Sequence, residues 1–152
     1  MKLRLLTLSI LIGFAACTNN KTEEKAEAVT QKEKVITDWA RPAAKGTMSG
    51  AYLRYTNTLN TTDTLVSASS DVAMMTQVHE SYTTEEGLAG MREKKDASVA
   101  PGEELVLERG GLHVMLMRLK QDLAEGDSVA ITLKFKKAGE VDLKVPVLKS
   151  ND

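Results

Sequence analysis

Two histidines occur in the whole chain, His79 and His113, so any imidazole chemistry must use one or both. His113 lies in the run Gly111-Leu112-His113-Val114-Met115-Leu116-Met117. Alternate residues of a strand face the same way, so His113, Met115 and Met117 share one face while Leu112, Val114 and Leu116 take the core side. A methionine that only filled core would alternate in phase with the leucines, and Met115 does not. His79 ends an apparent strand, and Met91 follows the loop from Thr83 to Gly90. Imidazole is a borderline ligand and a thioether a soft one, a combination that favours Cu(I) over hard ions such as Mg2+ or Ca2+. Two His and two Met add no charge of their own, so they hold Cu(I) as neutral donors. They also suit an oxidising compartment, because thioethers form no disulfides, although methionine can become a sulfoxide. Met117 is an auxiliary candidate and Met48 a weaker one. Met74 and Met75 read as strand packing, and Trp39 as a core-filling anchor.

Other chemistries find less support. A blue-copper electron-transfer site needs a Cys thiolate with two His, and the single cysteine, Cys17, stands far from both histidines. That one cysteine also excludes an intrachain disulfide framework and a Cys-rich zinc site. Ser81 is close to His79, but no nucleophile-elbow setting accompanies it, so a hydrolase is not expected. The net charge of −1 argues against a binder of nucleic acid, which would need a basic patch.

The elements that must position these residues are strands. Val129 to Phe135 and Val141 to Val145 alternate apolar with polar or small residues, as half-buried strands do. Gly111 to Met117 follows the same period. Earlier candidates are Ile36 to Ala40, Gly50 to Thr56, Thr64 to Ser69, Val72 to His79 and Glu104 to Glu108. Turn signals separate them at Asn57 to Asp63, Glu86-Gly87, Pro101-Gly102, Gly110-Gly111, Gly126-Asp127 and Ala138-Gly139. Short strands at this spacing predict an all-β, antiparallel β-sandwich or barrel.

The chain has 152 residues, a length for one domain with tails. Lys2 and Arg4 precede the apolar run Leu5 to Phe14, which is about ten residues and short of the roughly 20 of a spanning helix. Residues 1–16 read as a secretory signal peptide. Phe14-Ala15-Ala16-Cys17 resembles the bacterial lipobox, with Phe14 in place of the usual Leu, and makes Cys17 the expected lipidation site. Several acyl chains on one residue suffice for stable anchoring. From Cys17 to Lys34 the chain then forms a polar Lys/Glu-rich tether, able to reach on the order of 60 Å when extended. The folded domain is expected over 35–148, with 149–152 as a tail. These features place the chain in a bacterial cell envelope, lipid-anchored on a periplasmic or other extracytoplasmic face.

His79, Met91, His113 and Met115 together spell His-x11-Met-x21-His-x-Met. That spacing resembles the periplasmic Cu(A) copper chaperones of the PCu(A)C type, and the flanking residues agree. They include Asp38-Trp39-Ala40-Arg41, Ala51-Tyr52-Leu53, Val78-His79-Glu80, Gly110 to Met117, Leu119-Lys120 and Glu125-Gly126-Asp127, so the likeness runs from Val35 to Val147. The resemblance implies a cupredoxin-like Greek-key sandwich that binds Cu(I) at an exposed edge through His79, Met91, His113 and Met115. It implies delivery toward the Cu(A) centre of cytochrome c oxidase, alongside a Sco-type thiol partner, and no enzymatic activity. Some members carry Met directly after the first His or one place later, where this chain has Glu80 and Ser81. The same site would serve a copper buffering or resistance protein. A lipid-tethered interaction module without metal is the remaining alternative.

Overall fold

The computed structural model describes residues 38–149. The expected signal peptide, Cys17 and the tether lie outside the described residues, as do 35–37 and 150–152.

Ten strands follow in order: β1 (Trp39–Ala40), β2 (Met48–Thr56), β3 (Asp63–Ser69), β4 (Ala73–Thr83), β5 (Ala89–Glu93), β6 (Ala97–Val99), β7 (Glu104–Leu107), β8 (Leu112–Leu119), β9 (Ser128–Phe135) and β10 (Gly139–Pro146). They form two sheets. One runs β1-β2-β8-β4-β5, with β7 paired to β2, and the other runs β10-β9-β3-β6. All pairings between these strands are antiparallel. The chain crosses between sheets after β2, β3, β5, β6 and β8, which makes the sandwich. Among the described residues there is no helix.

The alternation read from the sequence supplies the layer between the sheets. Val129, Ile131, Leu133 and Phe135 of β9 are buried, and Leu53, Val78, Val114 and Leu116 meet them from the other sheet. Burial of such side chains is the main favourable term in folding, about 1.5–3 kcal/mol for each large one. Two buried polar residues tie the ends of the sandwich. Asn57, just past β2, donates through Nδ2 to the carbonyls of Thr61, Val99 and Ala100, and its Oδ1 accepts from the Leu59 N–H. Asp63, at the start of β3, accepts N–H bonds from Thr64, Lys137 and Ala138.

Three expectations need correction. β4 does not stop at His79 but continues to Thr83, and its hairpin with β5 places Met91 on a strand rather than after a loop. Met74 and Met75 are not packed: they are 65% and 42% exposed. Met75 lies on the outer face of its sheet, and Met74, near the start of β4, is left largely uncovered. Trp39 is half-buried on that outer face, its ring 4.7 Å from that of Tyr52, and takes no place in the core.

Candidate metal centre

The outer face of the larger sheet carries the site. β8 is its middle strand, with β2 on one side and β4 on the other. Register sets His113 opposite His79 and Met115 opposite Gln77. On β2 the same register sets Gly50 opposite Met115, so Tyr52 flanks His113. Across the β4–β5 hairpin, His79 faces Glu93 and Ser81 faces Met91. Directly opposed residues of an antiparallel pair share a face, so Tyr52, His113, His79, Met91 and Met115 all point outward together.

Local sequence explains each placement. The turn from Glu108 to Leu112 closes with Gly110 in the left-handed region, φ 80°, where a side chain would be strained. β8 begins directly after it, and its apolar Val114 and Leu116 fix the phase that turns His113 and Met115 outward. At the far end Arg118 adopts φ 51°, which breaks the alternation and lets Leu119 return to the core. The hairpin between β4 and β5 closes through Thr84 and Leu88. It carries Met91 on the sheet edge at 57% exposure.

The two imidazoles lie 6.0 Å apart, ring centre to ring centre, edge to face. His113 is buried although it faces outward, because Tyr52 covers it with ring centres 6.4 Å apart. Its Nδ1 donates to the Gly111 carbonyl at 3.1 Å, since a carbonyl can only accept. The lone pair of neutral His113 therefore resides on Nε2. His79 uses the opposite nitrogen: Nε2 donates to Gln77 Oε1 at 3.0 Å, leaving the lone pair on Nδ1. That Nδ1 is buried and has no hydrogen-bond partner. A buried acceptor without a donor costs about 1–3 kcal/mol. Burial, and next the neighbouring His113, lower the pKa of His79, while Glu93 opposes them, so the neutral, ligating form is favoured.

His113, Met115 and Met91 line a cleft of about 150 Å³ together with Tyr52, Ser81 and Gly50. His79 joins through its contact with His113. The four residues singled out from the sequence are thus brought to one place. Met117 is on the same face but outside the cleft, paired with Met48 on one side and Met75 on the other. Glu80 alternates with His79, faces the other way and is held by Arg92 at 2.8 Å. Among the described residues no three His, Cys, Asp or Glu side chains gather as a metal site.

Sequence reasoning missed three contributors. Gln77 fixes the tautomer of His79, the Gly111 carbonyl fixes that of His113, and Tyr52 shields His113. The first two stand two residues before their histidines, so the period of two was the available signal. Tyr52 had no such local signal, because it is brought in from β2.

Comparison with known proteins bears on this site. Residues 34–147 match the family described as "Putative lipoprotein LpqE-like". The protein of Leifsonia xyli subsp. xyli described as "Putative lipoprotein Lxx21020" is 33% identical over 142 residues, which is 91% of this chain and 84% of that protein. Among solved structures, the Cu(I) form of DR1885 from Deinococcus radiodurans superposes with a TM-score of 0.56 at 32% identity, covering 82% of this chain and 85% of that one. The apo PCuAC domain from PmoF1 superposes with a TM-score of 0.62 at 25% identity, covering 75% of this chain and 91% of that domain. The sandwich is accordingly cupredoxin-like, and the chain belongs to the LpqE-like lipoproteins of the PCu(A)C family.

Proposed function

We propose that the protein is a lipid-anchored, extracytoplasmic copper chaperone that carries Cu(I) on His79, Met91, His113 and Met115 and hands it to an acceptor protein. The observation that carries this reading is the pair of imidazoles, each with one ring nitrogen held by a hydrogen bond and His79 offering a buried, unpartnered Nδ1, beside two thioethers. Hydrogen bonds from the non-ligating nitrogen are the usual means of orienting a metal-bound His. Four neutral donors keep the charge of bound Cu(I) at one, and soft sulfur prefers that oxidation state. The likeness to the Cu(I) form of DR1885 supports the same cargo.

Delivery rather than storage is favoured by the exposure of Met91. A partner's sulfur can displace the exposed thioether first, then Met115, before the buried His113 lets go. Such ligand-by-ligand exchange moves the ion without releasing it into water. The acceptor we infer is a thiol-bearing site, either the Cu(A) subunit of cytochrome c oxidase or a Sco-type protein, with Cys17 supplying the lipid anchor in the bacterial envelope. The copper is cargo, and no reaction is catalysed.

A Cu(I) competition titration on the Cys17→Ser chain, beside His113→Ala and Met115→Ala, tests the proposal. Tight binding of one Cu(I) that both substitutions weaken is the expected result. Binding untouched by both, or no binding at all, would overturn it and leave the metal-free interaction module as the better account.

A further inference from the structure

The six methionines after Met1 show a distribution that the four-ligand site does not use up. None lies in the core: Met48, Met74, Met75 and Met91 are exposed, and Met115 and Met117 are half-buried. Methionine ordinarily fills gaps in cores, whereas this core is built from Leu, Val, Ile, Ala and Phe. Four of the six exposed large hydrophobic residues among the described residues are methionines.

Three of these side chains form one row. Register places Met48 of β2 and Met75 of β4 on either side of Met117 of β8. The row runs across the outer face, two residues along β8 from Met115. Cross-strand neighbours lie roughly 5 Å apart at Cβ, so Met48 and Met75 are about 10 Å apart across the middle strand. Each thioether stands on a flexible stem with three rotatable bonds, enough for three sulfurs to close on one ion between them. Met117, at the centre, is the best covered of the three.

We propose that Met48, Met75 and Met117 form a second Cu(I) site of three thioethers, weaker than the His–Met site and adjoining it through Met115. Three soft neutral donors without imidazole select a soft monovalent ion, and exposure lets the ion enter and leave. The row then serves as a landing step from which Cu(I) passes by ligand exchange to Met115 and the histidines. That passage rests on the function proposed above; the three-thioether site itself does not.

The test uses the full chain carrying Cys17→Ser, in detergent, with 13C-labelled methionine methyl groups, titrated anaerobically with Cu(I) against a competing chelator. The first equivalent should move the methyls of Met91 and Met115, and a second should move those of Met48, Met75 and Met117 together. The Met48→Leu/Met75→Leu variant, nearly volume-conserving, should lose the second equivalent, keep the affinity of the first and load it more slowly. The His79→Ala/His113→Ala variant should lose the first and keep the methyl shifts of the row. Saturation at one equivalent with the three methyls unmoved would overturn the site, as would a leucine variant that still takes two. Unchanged loading in that variant would overturn the landing step. A histidine variant that retained both equivalents would remove the four-ligand reading while the row's own methyl shifts still supported the second site.

Discussion

Gln77 shows how much of the chemistry rests on one hydrogen bond. Its Oε1 accepts from His79 Nε2 and so leaves the buried Nδ1 as the free electron pair. In the Gln77→Ala variant the imidazole can rotate or change tautomer, and Cu(I) affinity should drop about 10–100-fold, the range for loss of an orienting partner. The competition titration measures it, and an unchanged circular dichroism spectrum would show that the fold is intact. Protons compete for the same electron pair. Because burial and then the neighbouring His113 lower the His79 pKa below 6.5, against the pull of Glu93, that imidazole stays neutral to lower pH than a free one. Its share of the loss of Cu(I) affinity should therefore fall below pH 6.5, with affinity declining as acid is added. Affinity that stays flat between pH about 5 and 7.5 would remove the imidazoles from the site.

At the level of strands, the outer face depends on close approach as much as on phase. Tyr52 lies back over Gly50: a Cβ built there would stand 2.9 Å from the phenol oxygen and 3.2 Å from Cζ. Gly50→Ala must push the ring off, uncover His113 and disturb the cleft beside Met115. We expect a loss of stability of about 1–3 kcal/mol, as for other overpacked positions, together with weaker Cu(I) binding. Thermal unfolding and the same titration check the two parts, and a Tyr52 ring resonance that stayed in place would count against the mechanism. The strands that carry this geometry were unequally legible. β8, β9 and β10 announced themselves because Val114, Leu116, Ile131, Leu133 and Val145 alternate with polar or outward residues. β5 did not: Ala89-Gly90-Met91-Arg92-Glu93 contains no β-branched residue and buries none of its side chains. Its strand character comes from pairing with β4, which a local pattern cannot express. The ligand spacing was readable for the same reason in reverse. His113 and Met115 are locally related, and the period of two placed them together. Which nitrogen of each imidazole remains free was not readable, since it depends on Gln77 and Gly111 taking up defined positions. The methionine row escaped for want of register: Met48, Met75 and Met117 are distant in sequence and meet only when three strands align.

For the molecule as a whole, two acid-sensitive devices sit far apart in the fold and should act in sequence. The first is the imidazole pair on the outer face. The second is Asp63, buried in the other sheet, where it accepts backbone N–H bonds from Thr64 and from Lys137 and Ala138 in the turn between β9 and β10. Burial alone would raise its pKa, but those three bonds and the nearby Lys137 charge outweigh it, so the carboxyl titrates below its usual 3.8. A carboxylate with a depressed folded pKa contributes stability that is fully present above the unfolded value and is lost as pH falls through the folded one. The metal-free fold should therefore lose a first increment of stability below pH 6.5, where the unfolded chain protonates His79 before the folded one does, and the Asp63 increment only below pH 3.8. Copper would be released from a protein that is still folded, as a carrier requires. Asp63→Asn tests the second device, because an amide offers one acceptor oxygen and turns donor hydrogens toward backbone N–H groups. The variant should be destabilised by about 1–3 kcal/mol at neutral pH and should lose much of the wild type's further decline in acid. Melting temperatures of the two proteins, measured without metal at pH 7 and pH 3, decide it. If the variant declined as steeply as the wild type, acid lability would have to come from other titrating groups, His79 among them. Copper loss that coincided with unfolding would show that the two devices are not separate.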